Sequence, residues 1–228
     1  MQSTIKIGRI IGTLLFAIVA LGVLGLSFRN LSLSMAWSPT LLERLFENDL
    51  QIRVSILLDF LVSTIWLVIA ILLFPIISNF KKSFAYWFIG IWILHFAVIL
   101  FSNAAELSLL SIAEAFNNRT NLDENTLAAL ATVELEGYFW SHYFAIMLFA
   151  MAMGPLYYML FKTKLIPRFL SLWGMIAMLL VLSACWLTIF NQTVTFAFFG
   201  QNGVHLLVMI GWLLIKGFNN STIAAQAK

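Results

Sequence analysis

The chain has 228 residues, 62% of them hydrophobic and only 10% charged, with a formal net charge of +3 and a mean hydropathy of +0.96. A soluble domain carries about 25% charged residues, so a soluble globular enzyme is excluded and a polytopic, all-α membrane protein is expected. The small basic excess sorts by membrane side, which argues for the lipid bilayer and against nucleic acid as the partner it reflects.

A spanning helix needs about 20 mostly apolar residues. Six segments meet that need, at 8–28, 52–78, 84–112, 137–161, 169–190 and 194–217, and they form one transmembrane domain over 1–228. In the first, Lys6 and Arg9 precede the run "IIGTLLFAIVALGVLGLSF", as in a signal peptide. It lacks an A-x-A cleavage site, so a retained span is predicted. Gly8 and Gly12, four residues apart, permit close helix approach.

The polar stretch that follows contains "SPTLLERLFEN". Ser38 is a candidate N-cap, with Pro39 at the first helical position and Thr40 paired to Glu43. Leu41, Leu42, Leu45 and Phe46 share one face, which predicts a short interfacial helix on the outer side. The second span, "RVSILLDFLVSTIWLVIAILLFP", carries Ser55, Asp59 and Ser63 at four-residue intervals, hence on one face. The third carries His95, Ser102, Asn103 and Glu106.

"NLDENTLAALATVELE" predicts a second outer-side helix, with Asn121 and Glu124 in capping-box positions. It is expected to run on toward the fourth span, with a break near Gly137. The fourth span holds His142 and a Gly154-Pro155 pair expected to kink it, and Ala150 with Gly154 forms a further small-residue spacing. Cys185 in the fifth span reads as inert packing. For the last span two starts are open, one near Thr193 and one at Gly203. The second is favoured, because Gly200 and Gly203 bracket Gln201 and Asn202; it would treat "TFAFFGQNG" as a loop and lift His205 to the level of His142.

The positive-inside rule orients these spans. With both termini inside, the cytoplasmic side holds Lys6, Arg9, Lys81, Lys82, Lys162, Lys164, Arg168, Lys216 and Lys228. The outer half holds Arg29, Arg44, Arg53 and Arg119, together with all ten acidic residues. At 1.5 Å per residue, Asp59, Glu106 and His142 lie about 7–10 Å below the outer helix ends, so three helices consecutive in sequence place them in one layer.

Charged groups within a membrane need partners or a function. Two carboxylates with one or two imidazoles suffice to bind a divalent metal such as Zn. Glu106, His142, Asp59 and His205 are the candidate ligands, and Asp59 is the candidate catalytic base for hydrolysis of a lipid-like substrate. Arg53 and Asn103 are candidate ligand-binding residues, Arg53 for an anionic headgroup. The same layer is also consistent with a proton-coupled carrier that uses Asp59 or Glu106, or with an accessory subunit whose polar residues lock the helices together. No HExxH spacing, nucleotide fingerprint or haem-attachment motif decides among them.

Several stretches resemble the bacterial "domain of unknown function 4386" membrane proteins. They are "RVSILLDFLVSTIWLVIAILLFPIISNFKKSFA" (53–85), "NAAELSLLSI" (103–112), "FWSHYF" (139–144), "YYMLFKTKLIPRFLSLWGMIA" (157–177) and "GWLLIKG" (211–217). The resemblance implies a multi-helix protein of the bacterial cytoplasmic membrane and marks Arg53, Asp59, Glu106 and His142 as family-type positions. It implies no activity. The chain departs from the family pattern at His205 and Leu206, where a small residue followed by an acid is expected.

Overall fold

The computed structural model describes residues 2–30, 40–118 and 123–219. Among them are seven helices and no strand: α1 (Gln2–Arg29), α2 (Thr40–Glu47), α3 (Asp49–Phe80), α4 (Lys82–Asn117), α5 (Glu124–Thr163), α6 (Arg168–Ile189) and α7 (Ala197–Ile215). All but α2 are long and apolar enough to cross a membrane, which matches the six predicted spans. Several run well past the expected bounds: α5 has 40 residues, or about 60 Å at 1.5 Å per residue. The proposed caps Ser38, Pro39 and Asn121 lie outside the described residues.

Two local expectations are corrected. α5 passes through Gly137 without a break, so the second short outer helix is the first part of α5. A single mid-helix glycine costs only about 1 kcal/mol relative to alanine, which a helix of 40 residues tolerates. The start of α5 is capped by Asp123, whose Oδ1 accepts from the Thr126 amide at 2.9 Å and whose Oδ2 accepts from the Thr126 hydroxyl. The hydroxyl bond, then the amide bond, holds this carboxyl below the usual carboxylate range. Finally, α7 begins at Ala197 rather than Gly203. The apolar run before Gly200 continues the helix, and Gln201 donates to the carbonyl of Ala177 at 3.3 Å.

Helix ends are set by left-handed residues: Asn30 (φ 41°) after α1, Lys164 (53°) after α5, Asn191 (56°) after α6 and Gly217 (68°) after α7. Asparagine and glycine tolerate this region best, and such a residue closes the last carbonyls of a helix.

The contacts group into two compact units. One comprises residues 1–19, 65–95 and 146–228, the other 20–64 and 96–145. Four helices, α1, α3, α4 and α5, contribute to both.

In the first unit the start of α1 lies against the end of α7. A Cβ on Gly12 would stand 2.9 Å from that of Leu213, so the predicted small-residue spacing does bring two backbones together. Arg9 Nη2 donates to the carbonyl of Ile215 at 3.1 Å, a cation at a helix C-terminus. Trp66 and Trp92 stack at 4.7 Å, with Phe149 edge-on to Trp66 at 5.3 Å. Gly174 of α6 faces the ring of Tyr157, where an added Cβ would come within 2.6–2.7 Å of three ring atoms. Because Tyr157 is fully packed, Gly174→Ala is expected to destabilise by about 1–3 kcal/mol, read as a lowered melting temperature in detergent.

In the second unit the leucine face of α2 is buried. Leu41, Leu42 and Leu45 pack with Ile52 and Ile56 of α3, Leu109 and Ala113 of α4, and Leu127, Ala131 and Leu135 of α5. Phe46, expected on this face, is instead 41% exposed. The apolar side of α2 is therefore satisfied by protein, as in an amphipathic helix of a folded core.

Candidate functional site

The second unit gathers charges from three helices and aromatic rings from a fourth. α1 carries Arg29 in its last turn, where Asn30 stops the helix. Four residues earlier Gly25, on the same face, packs beside α3: a Cβ there would stand 3.5 Å from that of Leu58 and 3.8 Å from Oδ1 of Asp59. The α1 backbone thus delivers the Arg29 side chain to α3 and α4. Its Nη2 donates to Asp59 Oδ2 at 2.6 Å, and its Nε forms an ion pair with Glu106 Oε1. The guanidinium also sits over the ring of Tyr138 on α5, 5.4 Å from the centroid. The Arg29 and Glu106 side chains are 5% and 0% exposed, and that of Asp59 is 20% exposed.

His142, one turn beyond Tyr138, stacks on it with centroids 6.1 Å apart. Its buried Nδ1 has no hydrogen-bond partner among the described residues, and neither does Oε2 of Glu106. The serines flanking Asp59 take no part in the cluster. Ser55 donates to Ile52 O at 2.7 Å and Ser63 to Asp59 O at 2.8 Å, each closing on its own helix, a common way for serine to satisfy itself within a helix.

The sequence thus places Asp59, Glu106 and His142 in one neighbourhood but misses what joins the two carboxylates. Among the described residues no group of three or more His, Cys, Asp or Glu is arranged to hold a metal. Arg29, a fixed cation, contacts both Asp59 and Glu106. His205, the fourth metal-ligand candidate, falls in the first unit. There its Nε2 is 2.9 Å from the carbonyl of Leu170, and its ring meets Tyr157 and Trp173 edge-on at 5.0 and 5.3 Å.

Arg53, the candidate headgroup ligand, engages Asp49 one turn earlier through Nε at 2.8–3.0 Å. Asn103 joins two helices, its Nδ2 3.5 Å from the carbonyl of Ile56.

Arg29 was legible only as an outer-side charge used for orientation. Charge balance was the available signal, since two carboxylates within the spans need a cation and Arg29 is the outer arginine that ends a span.

The family model for a domain of unknown function, DUF4386, matches residues 10–217. The chain belongs to the DUF4386 family. No curated protein and no solved structure matches it. The matched stretch of this DUF4386 protein contains Arg29, Asp59, Glu106, Tyr138 and His142, and the family description assigns them no activity, so the chemistry rests on the cluster itself.

Proposed function

We propose that this DUF4386 protein is a proton-coupled membrane protein, a carrier of a small molecule rather than a metal-dependent hydrolase, and that the Arg29–Asp59–Glu106 cluster is its proton-binding centre. One observation carries the reading: a single buried guanidinium serves two carboxylates. Fully ionised, the group would hold one uncompensated negative charge, and an unpaired charge in a low-dielectric interior costs several kcal/mol. Binding one proton removes it. The proton belongs to the pair and not to either acid alone. Oε2 of Glu106, buried and without a hydrogen-bond partner among the described residues, is an available atom to hold it, and His142, stacked on Tyr138, is the group assigned to exchange it.

The charge asymmetry of the sequence supports both termini inside, and the family resemblance supports a bacterial cytoplasmic membrane. The accessory-subunit reading draws on the same ion cluster, and it differs by requiring no bound proton.

Infrared spectroscopy of the purified protein separates the two. At neutral pH the wild type is expected to show the C=O stretch of one protonated carboxyl group. Either Glu106→Gln or Asp59→Asn is expected to abolish it, because one carboxylate then balances Arg29. A wild-type spectrum without that band at neutral pH contradicts the proposal.

A further inference from the structure

The second unit contains a cavity of about 160 Å³ whose polar lining is Ser27, Arg29, Asn30, Arg44, Asn48 and Gln51. A cavity of about 150 Å³ holds a molecule the size of benzene, so the space suits a small ion or a headgroup and not a lipid tail. Its lining is asymmetric in charge. Among the described residues two arginines contribute and no acidic residue does, while Asn30, Asn48 and Gln51 add amide donors and the Ser27 hydroxyl donates to the carbonyl of Leu24 at 2.8 Å. Among the described residues Arg44 forms no ion pair. Asn48 Nδ2 donates to the carbonyl of Arg44 at 2.8 Å, which ties the two residues together. Planar guanidinium groups with amide donors around one small space match a tetrahedral oxyanion better than any cation or neutral solute.

The decisive feature is Arg29, which both borders this cavity and neutralises Asp59 and Glu106. We propose that the cavity binds an oxyanion of the phosphate class, and that its binding is coupled to proton uptake by the carboxylate pair. This rests on the proton-binding reading above. An anion beside Arg29 competes with Asp59 and Glu106 for its positive charge, and the pair offsets the loss by taking up a proton. Among the described residues the charged and titratable groups facing Glu106 are Arg29 from α1, Asp59 from α3 and Tyr138 from α5, with His142 of α5 near Asp59 and Arg29. None of them supplies a second permanent cation.

Isothermal titration calorimetry on the full chain in detergent tests the coupling, with inorganic sulfate as a tetrahedral oxyanion that does not itself titrate near neutral pH. Repeating the titration in buffers of different ionisation enthalpy gives the protons taken up per anion. Saturable binding with net proton uptake is expected. Arg44→Gln is expected to weaken binding about tenfold or more while leaving the carboxyl infrared band in place. Glu106→Gln combined with Asp59→Asn, which leaves no carboxylate beside Arg29, is expected to bind the anion without taking up a proton.

Inorganic phosphate and vesicles containing phosphatidic acid then identify the source. Displacement of sulfate by phosphate assigns a free anion, and displacement only by the vesicles assigns a lipid headgroup. No binding of any of the three, equal binding by Arg44→Gln, or binding by the wild type without proton uptake overturns the proposal. An intact carboxyl band in that case leaves the proton-binding reading standing, whereas its absence removes that reading as well.

Discussion

Arg29→Met is expected to cost about 3–5 kcal/mol of folding stability, the range for removing one partner of a buried ion pair. The change leaves Asp59 and Glu106 without the cation they share, and the Glu106 side chain is 0% exposed. Glu106→Gln should be much milder, because the contact between Arg29 and Asp59 at 2.6 Å remains. Arg29→Met combined with Asp59→Asn and Glu106→Gln should recover much of the loss, since no charge is then stranded. Denaturant titration of the detergent-solubilised protein reads all three. Equal stability of Arg29→Met and the wild type would mean that the cluster is not buried as described.

The second large effect is expected where α1 meets the end of α7. A Cβ on Gly8 would overlap the amide nitrogen of Phe218 and stand 2.9 Å from the Cα of Gly217. These are backbone atoms, so no rotamer change relieves the overlap. Gly8→Ala is therefore expected to destabilise by about 1–3 kcal/mol. Gly217→Ala adds a second penalty: its φ of 68° is left-handed and its Cβ would stand 2.6 Å from the carbonyl oxygen of Ile5. Overpacking and the left-handed backbone together give roughly 2–4 kcal/mol. Gly22 and Gly90 are internal controls, because a Cβ at either meets nothing within 4 Å. Alanine there should be neutral or mildly stabilising, as helix propensity predicts. Melting temperatures in one detergent suffice for the comparison.

The spans were legible because length and apolarity alone define them. Gly8 and Gly12 were legible as points of close approach because small residues at that spacing have few other uses. Boundaries were harder to place. Gly137 and Gly203 looked like breaks from sequence, yet neither has a packed neighbour within 4 Å of its Cβ direction, and the helices run through them at modest cost. The leucine face of α2 was correctly recognised, but a sequence cannot say whether lipid or protein covers it.

The candidate site shows the same limit more sharply. The depth of Asp59 and Glu106 follows from counting residues along helices, and the structure does bring both to one place. Which cation joins them depends on how α1 is rotated, which its nearly uniform apolar surface does not encode. Arg53 was the nearer candidate in sequence, but Asp49 at four residues' distance pairs with it locally, as such spacings favour on a helix. The neighbourhood was thus visible in the sequence, and its central residue was not.

The central claim is that Arg29 and Glu106 form one buried charge-coupled unit. A thermodynamic cycle of Arg29→Met, Glu106→Gln and the double variant, followed by denaturant titration, measures it directly. A coupling energy of about 1.5 kcal/mol or more is expected for a close charge pair. Effects that add to within about 0.5 kcal/mol, as for residues that do not touch, would contradict it.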